Sequence, residues 1–144
     1  MTSILLYALA ALAGVAAACQ GSANGALALR AGVGATLLLN TLVVGVGSLA
    51  IFLASGPRSL ATLGGAPFSH YIGGLCGLVI IAGMSLVVPR IGNATALALL
   101  VVGQVAMGLV IDHFGLIGMK TIPLSASRIG GALLLVAGVV LLRW

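Results

Sequence analysis

The chain has 144 residues, of which 62% are hydrophobic and 5% are charged, and six Lys and Arg residues against one acidic residue give it a net charge of +5. No water-soluble globule covers its surface with so few polar residues, so the composition excludes a soluble protein. The basic residues stand singly beside apolar stretches, which is typical of interfacial anchors and excludes a nucleic-acid-binding patch.

The chain divides at its charged residues and prolines into five apolar stretches. A transmembrane helix needs about 20 apolar residues, because the hydrocarbon core is about 30 Å thick. The expected helices cover residues 3–27, 31–54, 70–88, 93–111 and 124–143. The sequence therefore predicts an all-α integral membrane protein, with residues 1–144 forming a single five-helix transmembrane domain.

The first stretch has an alternative interpretation as a signal peptide, because residues 15–18 before Cys19 resemble a lipoprotein cleavage site. No Lys or Arg precedes the apolar run, and Ala16 stands where a larger aliphatic residue is usual. We therefore expect a retained helix.

Carboxamide side chains fall in the middle third of three predicted helices. Gln20 and Asn24 lie one turn apart on one face of the first helix, Asn40 lies at a similar depth in the second, and Gln104 lies near the midpoint of the fourth. Such groups either hydrogen-bond to one another and hold a bundle together, for about 0.6 to 2 kcal/mol each, or line a polar cavity at the midplane. Neighbouring glycines favour the cavity for Gln20, Asn24 and Gln104, whereas Asn40 suits both interpretations.

The segment DHFG ends the fourth predicted helix with Asp112 and His113, a pair that either relays protons or forms a solvated helix end. Arg128 lies too close to Arg143 for a helix to cross the membrane between them. Arg128 is therefore expected inside the fifth helix, where it snorkels or faces a wet cavity.

Enzymatic residue sets are missing from the sequence. It contains no nucleophile-base-acid set, no phosphate-binding loop and no metal-binding cluster, so we expect neither catalysis nor a cofactor or metal. Cys19 and Cys76 lie inside predicted helices, far from any His or acid at ligand spacing, and packing is favoured over a disulfide or metal site.

An odd number of helices places the two termini on opposite sides of the membrane. The basic residues then divide equally, with three on the N-terminal side and three on the C-terminal side: Arg58, Lys120 and Arg128 against Arg30, Arg90 and Arg143. Because the two sides carry equal numbers of basic residues, the positive-inside rule predicts no preferred orientation. Copies of the chain are therefore expected in both orientations. Two opposite copies would form an antiparallel homodimer of ten helices with inverted repeats, as in many secondary transporters. We find no internal repeat within the chain, as expected of a half-unit.

Three stretches resemble one known family. They are the pair Gln20 and Asn24, the segment VVGQVAMGLVIDHFG (101–115), and the segment SRIGGALLLVAGVVL (127–141). Together they resemble the five-helix YdcZ or DUF606 family of inner-membrane exporters, within the drug/metabolite transporter superfamily. The resemblance implies a bacterial inner-membrane exporter built from two five-helix halves, with matching positions at Gln20, Asn24, Gln104, Asp112 and Arg128.

The expected substrate follows from what this chain lacks. Related four-helix multidrug exporters exchange protons for cations at a glutamate in their first helix, and this chain contains no Glu. Tyr7 is one of few aromatic residues expected to face the membrane interior, which argues against an aromatic cage for quaternary ammonium groups. Carboxamides suit a small neutral polar or zwitterionic metabolite better.

The expected function is a secondary transporter that exports such a metabolite by alternating access, with two groups of candidate residues. The candidate substrate-binding residues are Gln20, Asn24, Gln104, Tyr7 and Asn40. The candidate coupling or gating residues are Asp112, His113 and Arg128. The expected partner is a second copy or an oppositely oriented homologue within the lipid bilayer. The alternatives are a non-transporting interaction or accessory subunit and a narrow channel.

Overall fold

The computed structural model describes residues 3–55, 65 and 67–142, and every regular element within them is a helix. There are four α-helices and two short 3-10 helices: α1 (Ser3–Ser55), Phe68–Tyr71, α2 (Ile72–Ile91), α3 (Asn93–Phe114), Leu116–Gly118 and α4 (Ala126–Leu142). The described residues contain no strand, which confirms the all-α prediction.

The long helix α1 is a hairpin of two arms, residues 3–31 and 33–55. Gly32 between the arms has φ 84° and ψ 161°, outside the helical region. In a straight helix Gln20 and Asn40 would lie about 30 Å apart, yet the Gln20 amide donates a hydrogen bond to the Asn40 carbonyl oxygen at 3.3 Å. The break predicted at Arg30 thus lies at Gly32, because a positive φ suits glycine.

A second single-residue turn joins α2 to α3. Gly92 has φ 80° and ψ 156°, and its N–H donates to the Val88 carbonyl at 3.0 Å to close α2. The predicted end of this helix at residue 88 is too early, since α2 continues through Pro89 to Ile91. Pro89 has no N–H to donate to the Ser85 carbonyl, which weakens the last turn of α2, and the helix ends two residues later.

The two turns share a sequence as well as a backbone conformation. The first is Arg30-Ala31-Gly32 and the second is Arg90-Ile91-Gly92. Two shared residues are too few to make an internal repeat, so the expectation of no repeat stays a prediction.

Both turns lie at the same end of the bundle. Gly21 lies beside Met84 and Val88, and Gly25 lies beside Val88 and Pro89, so the first arm of α1 runs parallel to α2. We call the end that contains Gly32 and Gly92 the glycine end. The opposite end, where α3 finishes and α4 begins, is the Asp112 end.

Packing is concentrated toward the glycine end. Among the described residues, the buried ones are Gly21, Asn24, Gly25, Thr36, Met84, Ser85, Val88 and Ala96. The hydroxyls of Thr36 and Ser85 donate to the carbonyls of Gly32 and Ile81, at 3.0 and 2.6 Å, which lets both residues be fully buried. By contrast, residues 4–16 of the first arm and 41–51 of the second arm are all exposed.

The exposed surface is apolar, as expected of helices in lipid. Among the described residues, three helices are long and apolar enough to cross a membrane: Ile4–Ser55, Phe68–Ile91 and Asn93–Phe114. The apolar helix α4 is shorter, with 17 residues. Arg58 and Arg143, which enter the count of basic residues, lie outside the described residues.

Candidate functional site

Three carboxamides form a hydrogen-bonded chain between the two arms of α1. The side-chain Nε2 of Gln20 donates to Oδ1 of Asn40 at 3.3 Å, and Nδ2 of Asn40 donates to Oδ1 of Asn24. Gln20 and Asn24 share a face because they are four residues apart, and the turn at Gly32 returns Asn40 to their level. We call Gln20, Asn24 and Asn40 the carboxamide chain.

Glycines bring α2 close to the carboxamide chain. A Cβ atom on Gly25 would lie 3.2 Å from Pro89 Cγ and 3.3 Å from Val88 Cγ1. A Cβ atom on Gly21 would lie 3.2 Å from Asn93 Oδ1. The small-x-x-x-small spacing of these glycines thus serves close helix contact, as such spacing commonly does in membranes.

Asn93 is a polar residue at this site that sequence reasoning missed. Its amide donates to the Ala18 carbonyl at 3.0 Å, which ties the start of α3 to the first arm of α1. Its Oδ1 atom is buried without a hydrogen-bond partner among the described residues. An asparagine directly after a helix-breaking glycine resembles an ordinary helix start, so only its position one residue after Gly92 could have drawn attention to it.

A small cavity adjoins Gln20 and Asn24. It measures about 40 Å³, and its remaining walls are mainly apolar side chains of α2 and α3, including Met84 and Leu100. That volume holds a water molecule, whereas small-molecule pockets typically measure about 300 to 1,000 Å³. In this conformation the site is therefore closed to a metabolite.

Two predicted binding residues lie apart from the carboxamide chain. Tyr7 is 75% exposed in the open half of the first arm. Gln104 is exposed, and its side chain makes no hydrogen bond within the described part of the chain. It lies one turn beyond Leu100, which lines the small cavity, so Gln104 shares that face of α3.

The candidate coupling residues meet at the Asp112 end. Arg128 forms a salt bridge with Asp112, and each side chain is 29% exposed. Arg128 also donates through Nη1 to the Ile122 carbonyl at 3.2 Å, and the Ile122 N–H donates to the Asp112 carbonyl at 2.7 Å. The first turn of α4 is thus fastened to the last turn of α3.

His113 belongs to the same corner. Its Nδ1 accepts a hydrogen bond from the Leu124 N–H at 3.4 Å, and its ring packs edge-on against Phe114 with 4.7 Å between the ring centroids. Gly115, with φ 62°, caps α3 and lets the following loop fold back, since a Cβ atom there would lie 2.6 Å from Thr121 Oγ1. The structure therefore brings Asp112, His113 and Arg128 together through this loop.

No metal-binding group was found in the part of the chain that the structure describes: no three His, Cys, Asp or Glu residues lie together there. Cys19 and Cys76 are both exposed, free thiols.

Comparison with known proteins identifies the family. A family model described as "Putative inner membrane exporter, YdcZ" matches residues 5–141, nearly the whole chain. No curated protein and no solved structure matches the chain significantly. Membership of an exporter family supports a transporter role over an enzymatic one, and the long apolar helices fit that role. The chain therefore belongs to the YdcZ family of inner-membrane exporters and is a multi-pass protein of the inner membrane.

Proposed function

We propose that the chain is one half of a secondary transporter that exports a small polar or zwitterionic metabolite by alternating access. The observation that carries the proposal is the carboxamide chain, in a protein that belongs to an exporter family. Carboxamides both donate and accept hydrogen bonds, so they can replace the water around an uncharged polar group or a zwitterion.

Five membrane crossings are part of this proposal. Because α1 folds back at Gly32, each of its arms is a helical segment longer than the roughly 20 residues that a crossing needs. With α2, α3 and α4 this makes five crossings in one chain. The carboxamide chain then lies in the membrane, where substrate sites of secondary transporters are found.

Transport requires the closed site to open, and the salt bridge between Asp112 and Arg128 is the proposed gate. Asp112 is the only acidic residue in the sequence, so it is the only carboxylate side chain of this chain with which Arg128 can pair. Loss of the Asp112 charge would release Arg128 and loosen the connection between α3 and α4. His113, which holds the same loop, completes the proposed coupling group.

The other half of the transporter is proposed to be an oppositely oriented second copy or homologue. The equal division of basic residues supports insertion in both orientations. Helix α4 packs mainly against α3 and has no buried residue, so most of its surface is free for another chain.

Solute counterflow in proteoliposomes tests transport. A thermal-shift screen of metabolites first supplies a solute that stabilises the protein. Asn24→Leu and Gln20→Leu are expected to abolish exchange of labelled for unlabelled solute, because they remove members of the carboxamide chain. Ser22→Ala, on an exposed position of the same turn, is the matched control and should exchange normally. Normal exchange by both Leu variants would contradict the proposed site.

A second candidate function is a non-transporting accessory subunit. It is favoured by the mutual hydrogen bonds of the carboxamide chain, since a purely structural cluster would be paired in the same way. An accessory subunit shows no counterflow, and its Gln20, Asn24 and Asn40 variants lose stability only. A narrow channel lets the labelled solute equilibrate across the membrane, but it does not accumulate labelled solute in exchange for unlabelled solute.

Cysteine labelling tests the proposed orientation. Lys120→Cys, in a background without Cys19 and Cys76, places one thiol in the loop between α3 and α4. Labelling from both sides of the membrane is expected. Labelling from one side only would contradict the proposed antiparallel homodimer, and an oppositely oriented homologue would then be the proposed partner.

A further inference from the structure

A second, larger cleft, bordered by Asn40, lies between the second arm of α1 and α2. It has a volume of about 430 Å³, within the range of small-molecule sites. Its lining includes Asn40, Thr41, Gly45, Gly74, Gly77 and Ile81. Asn40 therefore borders this cleft while it bonds to the carboxamide chain.

Glycines create the space in this cleft. A Cβ atom added to Gly45, Gly74 or Gly77 would meet no atom within 4 Å. These glycines consequently do not serve helix contact within the chain, unlike Gly21 and Gly25. Gly74 lies at the start of α2 and Asn40 lies deeper, so the cleft leads from the Asp112 end toward the carboxamide chain.

The cleft contains hydrogen-bonding groups with free capacity. The Thr41 hydroxyl makes no hydrogen bond within the described residues, although the hydroxyls of Thr36, Ser55 and Ser85 all donate to the carbonyl four residues earlier. The Asn40 amide uses one of its two N–H groups. Unpaired polar groups are costly in the hydrocarbon region, so a ligand with matching groups would be favoured there.

Charge is missing from the lining. Among the described residues, no Asp, Glu, Lys, Arg or His lines the cleft, and its remaining walls are aliphatic side chains such as Val44 and Leu78. A charged ligand would lose its hydration without gaining a counter-charge. The cleft thus suits an uncharged ligand with an apolar portion.

We propose that this cleft binds a neutral amphiphile taken up from the bilayer, with an uncharged amide or alcohol head at Asn40 and Thr41 and a short apolar chain along Gly77. The proposal rests on the proposed transport function and narrows its substrate class to uncharged molecules. The cleft then delivers the head group to the carboxamide chain, which Asn40 shares.

Protection of a thiol in the cleft tests the proposal, with hexanamide as the probe. Gly74→Cys, in a background without Cys19 and Cys76, is reconstituted in vesicles and alkylated with a maleimide. Hexanamide is expected to slow the alkylation several-fold, whereas hexane at the same membrane concentration is not, because hexane cannot pair with Asn40 and Thr41. Adding Gly77→Leu should abolish the protection by filling the cleft.

Gly83→Leu is the matched control for filling, because Gly83 is an open position on the same helix that does not line the cleft. Protection should survive in this variant. Equal protection by hexane, or protection that survives Gly77→Leu, would overturn the proposal. A Gly74→Cys thiol that is shielded or cross-linked by a second copy without any probe would overturn it too.

The two proposals fail separately in these experiments. Normal counterflow without hexanamide protection would contradict the proposed ligand site in the cleft but would still support the proposed transport function. Hexanamide protection without counterflow of any solute leaves a ligand-binding cleft in a subunit that does not transport.

Discussion

The two ends of the bundle are held together by different forces. At the glycine end, Gly21 and Gly25 admit α2 to close contact, and the carboxamide chain lies beside that contact. At the Asp112 end, α3 and α4 are joined by a salt bridge whose side chains are 29% exposed. Close packing tolerates little added volume, whereas a partly exposed ion pair separates at small cost. We therefore expect the glycine end to stay fixed and the Asp112 end to open.

The largest effect is expected from adding volume at the glycine end. In Gly25→Leu the new side chain would collide with Pro89 and Val88, which should lower the free energy of unfolding by about 1 to 3 kcal/mol. Denaturant titration in detergent measures the change. Gly14→Leu is the matched control, because a Cβ atom at Gly14 meets nothing within 4 Å. Equal losses in the two variants would show that the contact with α2 is not what holds this end.

The next largest loss of stability is expected within the carboxamide chain, where two of its members can be compared. Asn40→Leu breaks two side-chain hydrogen bonds and Gln20→Leu breaks one. At an average of about 0.6 kcal/mol for each bond in a membrane protein, Asn40→Leu should be the more destabilising, by roughly a factor of two. The same denaturant titration checks the order. The reverse order would mean that the central hydrogen bond does not form in the bilayer.

A smaller effect is expected at the Asp112 end. Asp112→Asn should lower the free energy of unfolding by about 1 kcal/mol or less, because the pair is partly exposed. A double-mutant cycle with Arg128→Gln isolates the coupling of the two side chains. The double variant should lose little more than either single variant. Additive losses would show that the two residues act independently.

The smallest effect on stability is expected at Gln104, which touches neither end. Gln104→Ala removes an exposed side chain without a hydrogen bond in the described part of the chain, so stability should change by less than about 0.5 kcal/mol. Counterflow should fall, if Gln104 lines the path of the substrate. Normal counterflow by this variant would remove Gln104 from the proposed site.

Local sequence signals predict part of this arrangement. Hydropathy predicts the helices, and depth along each helix places Gln20 and Asn40 at the same level. The partner of Asp112 follows from neither, because it depends on how the loop between α3 and α4 folds. Asn93 was missed for a similar reason. Its contact with Ala18 depends on how closely α2 and α3 approach the first arm, and Gly21 and Gly25 permit that approach.

The single-residue turns at Gly32 and Gly92 also constrain how the chain enters the bilayer. No loop separates the arms of α1, or α2 from α3, so under the proposed five crossings we expect each pair to insert together as a hairpin. The tip of each such hairpin carries one arginine, Arg30 or Arg90. In the orientation that sends both tips across, translocation moves only one positive charge per hairpin. We therefore expect the short turns, as well as the small number of charges, to keep the barrier to insertion low in either orientation.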